Sequence, residues 1–111
     1  MAAPKVEPDR ARITQEARFL ALLGQSTRLR LLYMLRDGER CACELDPAMP
    51  EDQSVISRHL IKMREAGLLE WRREGVSIYY RIRDPRLFDL LGLADDLILN
   101  SLEESSASLR G

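Results

Sequence analysis

Apolar residues recur at helical spacing along most of the chain and switch to alternation once, between residues 69 and 82. Ile13, Ala17, Leu20 and Ala21 predict a first helix that opens after Asp9 and stops near Gly24. The link Gly24-Gln25-Ser26 is short, so the next helix packs beside the first. Ser26 is its expected N-cap, Leu31, Leu32 and Leu35 turn inward, and Asp37-Gly38 closes it. Residues 39 to 50 read as a short third helix compromised by Pro47, which has no amide to donate and collides with the carbonyl four residues back. The clearest signal follows in residues 52 to 67. Ile56, Leu60 and Met63 stand at i, i+4 and i+7, between Asp52 as N-cap and Gly67 as a left-handed terminator.

Leu69 and Trp71, then Ile78, Tyr80 and Ile82, alternate about a glycine-bearing turn and predict a β-hairpin. Asp84-Pro85 opens a last helix, with a cap residue and then proline at the first helical position. From Leu87 to Leu102 its apolar residues cover far more than one stripe, and one domain cannot bury them all. A symmetric second subunit is the simplest cover. Short helix, tight turn, amphipathic helix and hairpin, in that order, predict a mainly α fold with a β-hairpin: a homodimeric winged helix-turn-helix. Residues 1–8, polar with two prolines, are expected to form a loose arm. Residues 9–102 form the DNA-binding and dimerisation domain, and the serine-rich stretch 103–111 a frayed tail.

Length and composition fit one globular domain of 111 residues. No apolar run is long enough to span a bilayer and the N-terminus lacks a signal-peptide core, which predicts a cytosolic protein without a membrane partner. Charge changes the picture more. The net charge is −1, yet residues 53 to 83 carry seven cations against three carboxylates, while residues 84 to 111 carry two against six. That local excess of +4 can hold DNA in a chain that is acidic overall. On the 52–67 helix, Ser54, Arg58, Ile61, Lys62 and Glu65 face away from the core, with Val55 and Ser57 at the flanks. Short hydroxyls and long cations suit base edges and phosphates in a major groove; a solvated surface helix is the plainer alternative. The hairpin bears Arg72, Arg73 and Arg81, as a wing touching phosphates or a minor groove would.

Cys41 and Cys43 are the only cysteines. One residue apart, they make a poor structural disulfide and fit metal binding or redox chemistry. Residues i and i+2 point about 200° apart in a helix but share a face in a strand, so two-point chelation requires a non-helical segment there. An enzyme is disfavoured. There is no Cys-x-x-Cys, no Ser/His/Asp set and no phosphate-binding glycine loop. A winged helix used only for protein contact would not need the +4. His59, at the edge of the buried face, reads as a packing or hydrogen-bonding residue.

Five stretches together, Ser26-Thr27-Arg28-Leu29-Arg30-Leu31-Leu32, Cys41-Ala42-Cys43-Glu44-Leu45, Ser57-Arg58-His59-Leu60, Arg64-Glu65-Ala66-Gly67-Leu68 and Arg72 to Arg81, resemble the ArsR/SmtB family of bacterial metalloregulatory repressors over roughly residues 15 to 100. The resemblance implies a homodimer joined by its first and last helices that binds double-stranded operator DNA and leaves it on sensing an inducer. Carried over residue by residue, it puts Gln53, Ser54, Val55, Ser57, Arg58 and Lys62 in the recognition segment and Arg73 and Arg81 in the wing. The expected interface comprises Ile13, Leu20, Leu87, Leu91, Ala94 and Ile98. No cofactor is required for folding. In the arsenic-sensing branch a Cys-x-Cys pair begins a three-sulfur site, but the third position is Asp46 here. Two thiolates remain for trivalent arsenic or antimony, whose third ligand is a cellular thiol, water or an organic substituent. Thiol oxidation and a purely structural pair are the alternatives. The family's zinc-type site on the last helix is disfavoured, because residues 84 to 111 contain no histidine.

Overall fold

Helix α1 (Arg10–Leu23) starts where Asp9 can cap it, its carboxylate accepting from the amides of Ala11 and Arg12. The structure, a computed structural model, describes residues 9–110, with side chains through Glu104. The expected arm, residues 1–8, lies outside the described residues. Of α1 only Leu22 and Leu23 are buried; Ile13 and Leu20 face outward. Helix α2 (Ser26–Met34) is capped one residue earlier than expected, by the Gln25 side chain accepting from the Arg28 amide. Leu31, Leu32 and Leu35 are fully buried, as their spacing requires.

Residues 39 to 50 depart from the expected single helix. Arg40–Cys41 is a strand, β1, and the helix α3 (Ala42–Leu45) begins only after it. Cys41 is the N-cap, in extended backbone. Its sulfur accepts from the Cys43 amide at 3.1 Å while the Glu44 carboxylate accepts from the Cys41 amide, a capping box with sulfur in place of a hydroxyl. Pro47 falls in the first turn of the 3₁₀ helix Asp46–Ala48, where a missing amide donor costs nothing.

Helix α4 (Gln53–Glu65) buries Ile56, Leu60 and Met63 completely against α2 and α3. Asp52 occupies the N-cap position, but its carboxylate makes no capping bond; its backbone carbonyl accepts from Val55 and Ile56 instead. Gly67, at φ +83°, ends the helix in the left-handed region that glycine tolerates. Strands β2 (Leu69–Glu74) and β3 (Ser77–Ile82) form the hairpin about Gly75-Val76, with Glu74 opposite Ser77. β1 adds to the other edge of β3, Arg40 opposite Tyr80 and Cys41 opposite Tyr79, giving an antiparallel sheet in the order β1-β3-β2. Trp71 shares the Leu69 side of β2 but not its burial. It is 47% exposed, because only the start of β2 overlies the core, and the Arg64 guanidinium stacks 4.2 Å above its ring.

The Asp84 carboxylate accepts from the Arg86 amide in the turn that leads into α5 (Leu87–Arg110), so Pro85 precedes the first helical residue rather than occupying it. The helix continues through most of the stretch expected to be a tail. Two of the expected interface residues turn out to belong to the protomer's own core: Leu87 and Leu91 are 7% and 9% exposed. Leu93, Leu97, Ile98, Leu99 and Leu102 face outward instead, as does Ala94. The radius of gyration, 18.5 Å, compares with about 13 Å for a compact chain of this length, so α5 projects from the body.

Candidate functional site

Because Ile56, Leu60 and Met63 anchor one side of α4, the other side is presented as the sequence pattern required. Gln53, Ser54, Ser57, Arg58 and Lys62 are exposed and Val55 is half-buried. Arg58 is tethered only to the Ser54 carbonyl at 3.4 Å. Arg28, from α2, joins this face. It donates to His59 Nδ1 at 3.1 Å and to the Leu22 carbonyl at 3.1 Å, and with Val55, Arg58, His59 and Lys62 it lines a basic recess of about 350 Å³. Burial, with Arg28 and Arg58 beside it, lowers the pKa of His59, so the imidazole is a neutral acceptor at pH 7. Arg28 escaped the sequence reading because it lies on a different helix, and no local spacing relates it to Arg58.

The wing cations divide by partner. Arg81 is paired with Glu70, its neighbour across the strands. Arg72 bridges Glu39 and Glu74 and lies 4.3 Å over the Tyr79 ring, holding Glu39 below the usual carboxylate range. Arg73 has no ion-pair partner among the described residues and presents its charge outright. Exposed pairs such as Arg81–Glu70 are worth only about 0–1 kcal/mol, so a phosphate can replace Glu70.

The capping geometry at Cys41 answers the directional problem of a Cys-x-Cys pair. Cys41 is extended and Cys43 sits in the first helical turn, so both sulfurs come to the same side and are bridged, with Cα atoms 5.0 Å apart. Cys41 is 2% exposed while Cys43 is open to solvent. The pair lines a cavity of about 290 Å³ together with Asp46, with Gln53 and Ser57 of α4, and with Val76, Ser77 and Ile78 at the wing tip. Two residues of the exposed side of α4 thus form a wall of the cysteine pocket. Among the described residues there is no group of three or more His, Cys, Asp or Glu side chains able to hold a metal ion. The thiols would be the only sulfur donors.

Residues 25–70 match the family described as bacterial regulatory protein, arsR family. Over 61 residues the chain is 49% identical to the arsenic resistance transcriptional regulator ArsR1 of Pseudomonas putida, a match covering 54% of this chain and 48% of that protein. The chain spans about half the length of the first curated relatives it matches. Among solved structures, the homodimeric winged helix-turn-helix DNA-binding domain Mb0332 of Mycobacterium bovis is 33% identical with a TM-score of 0.70, covering 87% of this chain and 94% of that one. The AntR antimony-specific transcriptional repressor is 28% identical with a TM-score of 0.71, covering 93% and 97%. Matching motifs, a matching winged helix-turn-helix and near-complete overlap with such structures lead to one conclusion: this chain belongs to the arsR family of bacterial regulatory proteins.

Proposed function

We propose that this chain is a homodimeric repressor that binds double-stranded operator DNA through α4 and the wing, and releases it when Cys41 and Cys43 capture trivalent arsenic or antimony. The observation that carries this reading is the shared pocket: both cysteines line a cavity walled by Gln53 and Ser57. A soft metalloid bound there must displace or fix residues that would otherwise meet DNA. The two ligands then oppose each other by thermodynamic linkage. The relatives named for arsenic resistance and for antimony support this inducer class, as does the preference of soft centres for thiolates. Dimerisation answers the apolar surface left on α1 and α5, and it presents two copies of α4 to two half-sites. No described helix is long and apolar enough to cross a membrane.

The test is release from the chain's own upstream DNA, followed by fluorescence anisotropy. Arsenite and antimonite should release the wild-type protein, whereas Cys41→Ser and Cys43→Ser should bind DNA normally and stay bound. Release of either variant at wild-type inducer concentrations would refute the assignment. The bridged sulfurs favour a second reading, oxidation of the pair as the signal. A protein released by peroxide and indifferent to arsenite would establish that reading instead.

Arg58→Ala should weaken specific binding by about 1–3 kcal/mol if the guanidinium reads a base, with random DNA much less affected. Equal losses on both sequences would make Arg58 a phosphate contact.

A further inference from the structure

Asp46 is the one charged group in the dithiol pocket, and the reading above assigns it no part. It lies three residues past Cys43, at the start of the 3₁₀ helix that Pro47 stiffens. Its Oδ1 atom is buried and has no hydrogen-bond partner. Burial raises the pKa of Asp46, and the facing Gln53 side chain opposes that rise. A buried acceptor left bare is unfavourable unless a water or a ligand brings it a donor. The other such atom, Glu51 Oε2, belongs to a carboxylate already bonded to Thr27 and does not line this pocket. Asp46 therefore carries the buried, unpartnered side-chain acceptor in the cavity that the two cysteines line.

We propose that Asp46 Oδ1 accepts a hydrogen bond from the one hydroxyl kept by a metalloid bound to Cys41 and Cys43, so that the pocket selects inorganic arsenite or antimonite over organic forms. The inference rests on Cys41 and Cys43 being the metalloid site. The bridge between Cys41 and Cys43 is first opened by a cellular thiol reductant, which gives up two electrons and is itself oxidised to a disulfide. The trihydroxide then exchanges two hydroxyls for the two thiol sulfurs and two waters leave; no electrons change hands in that exchange, and the third metalloid–oxygen bond stays intact with its proton available to Asp46. An organic derivative with carbon as its third substituent fills the same place without a donor. Sites built around a substrate hydroxyl discriminate strongly against analogues that lack it. Gln53 faces the same carboxylate and is the first residue of α4. The incoming hydroxyl shares that carboxylate with Gln53, which gives the pocket a direct handle on α4.

The experiment compares arsenite with phenylarsine oxide as agents of DNA release, using the full chain, Asp46→Ala, Asp46→Asn, Cys41→Ser and Cys43→Ser. Binding of DNA without inducer and the urea midpoint confirm that each variant is folded. Asp46→Ala should raise the arsenite concentration for half-release about tenfold and leave the phenylarsine oxide response within about twofold. Asp46→Asn, which keeps an acceptor oxygen but loses the charge, should fall between. Equal shifts for the two compounds, or no shift for arsenite, would overturn the role of Asp46 while leaving the dithiol site intact. If the cysteine variants still respond to arsenite, it is the site itself that fails.

Discussion

Ile98→Asp is expected to leave the protein monomeric and to lower operator affinity at least about a hundredfold, since a buried unpaired carboxylate costs several kcal/mol. Ile98 is 57% exposed on α5 in the single chain, beside Leu97, Leu99 and Leu102, all more than half exposed. So much exposed apolar surface on one helix calls for a partner. Under two-fold symmetry each substitution enters the interface twice. Sedimentation velocity reads the outcome directly, and a variant that remained dimeric would rule out this face of α5. Leu91→Asp does not serve the purpose. Leu91 is a core residue of the protomer, and charging it would unfold the chain before the interface was tested.

Leu60→Ala should destabilise the fold by about 2–5 kcal/mol, the range for truncating a buried leucine. Leu60 is 1% exposed at the centre of the seam where α4 meets α2. Stabilities of small domains are about 5–15 kcal/mol, so the loss is a large fraction of the total. Urea unfolding gives its size, and operator binding should fall with the folded fraction at raised temperature. Ser54→Ala, exposed on the same helix, provides the control and should shift stability by about 0.5 kcal/mol or less. Comparable losses at the two positions would mean that α4 is not held by the side that carries Leu60.

The amphipathic residues of α4 were legible because one narrow stripe was apolar and the rest polar. The same reasoning fell short on α5, where Leu87, Leu91 and Ile98 recur at helical spacing on one side, and periodicity cannot tell that the protomer covers the first two and leaves Ile98 exposed. β1 escaped because two residues are too few to show alternation, and its pairing with Tyr79 and Tyr80 is set nearly forty positions away. The exposure of Trp71 has a related cause: alternation tells which residues share a side of a strand, not how far along it the core extends. The pocket joining Cys41, Cys43 and Asp46 to Gln53 and Ser57 is assembled from separate elements and the wing tip, which no local spacing relates. The cysteines were identifiable by type, and the residues they touch were not.

The capping box at Cys41 bears on how such a regulator changes over evolutionary time. Ending a strand and starting a helix is a generic duty that serine, threonine, aspartate or asparagine can perform as well as cysteine. If Cys41 captures a metalloid as proposed, sensing is added at a place where the scaffold asks only for a small acceptor, so it can be gained or lost while the cap and the helix downstream stand unchanged.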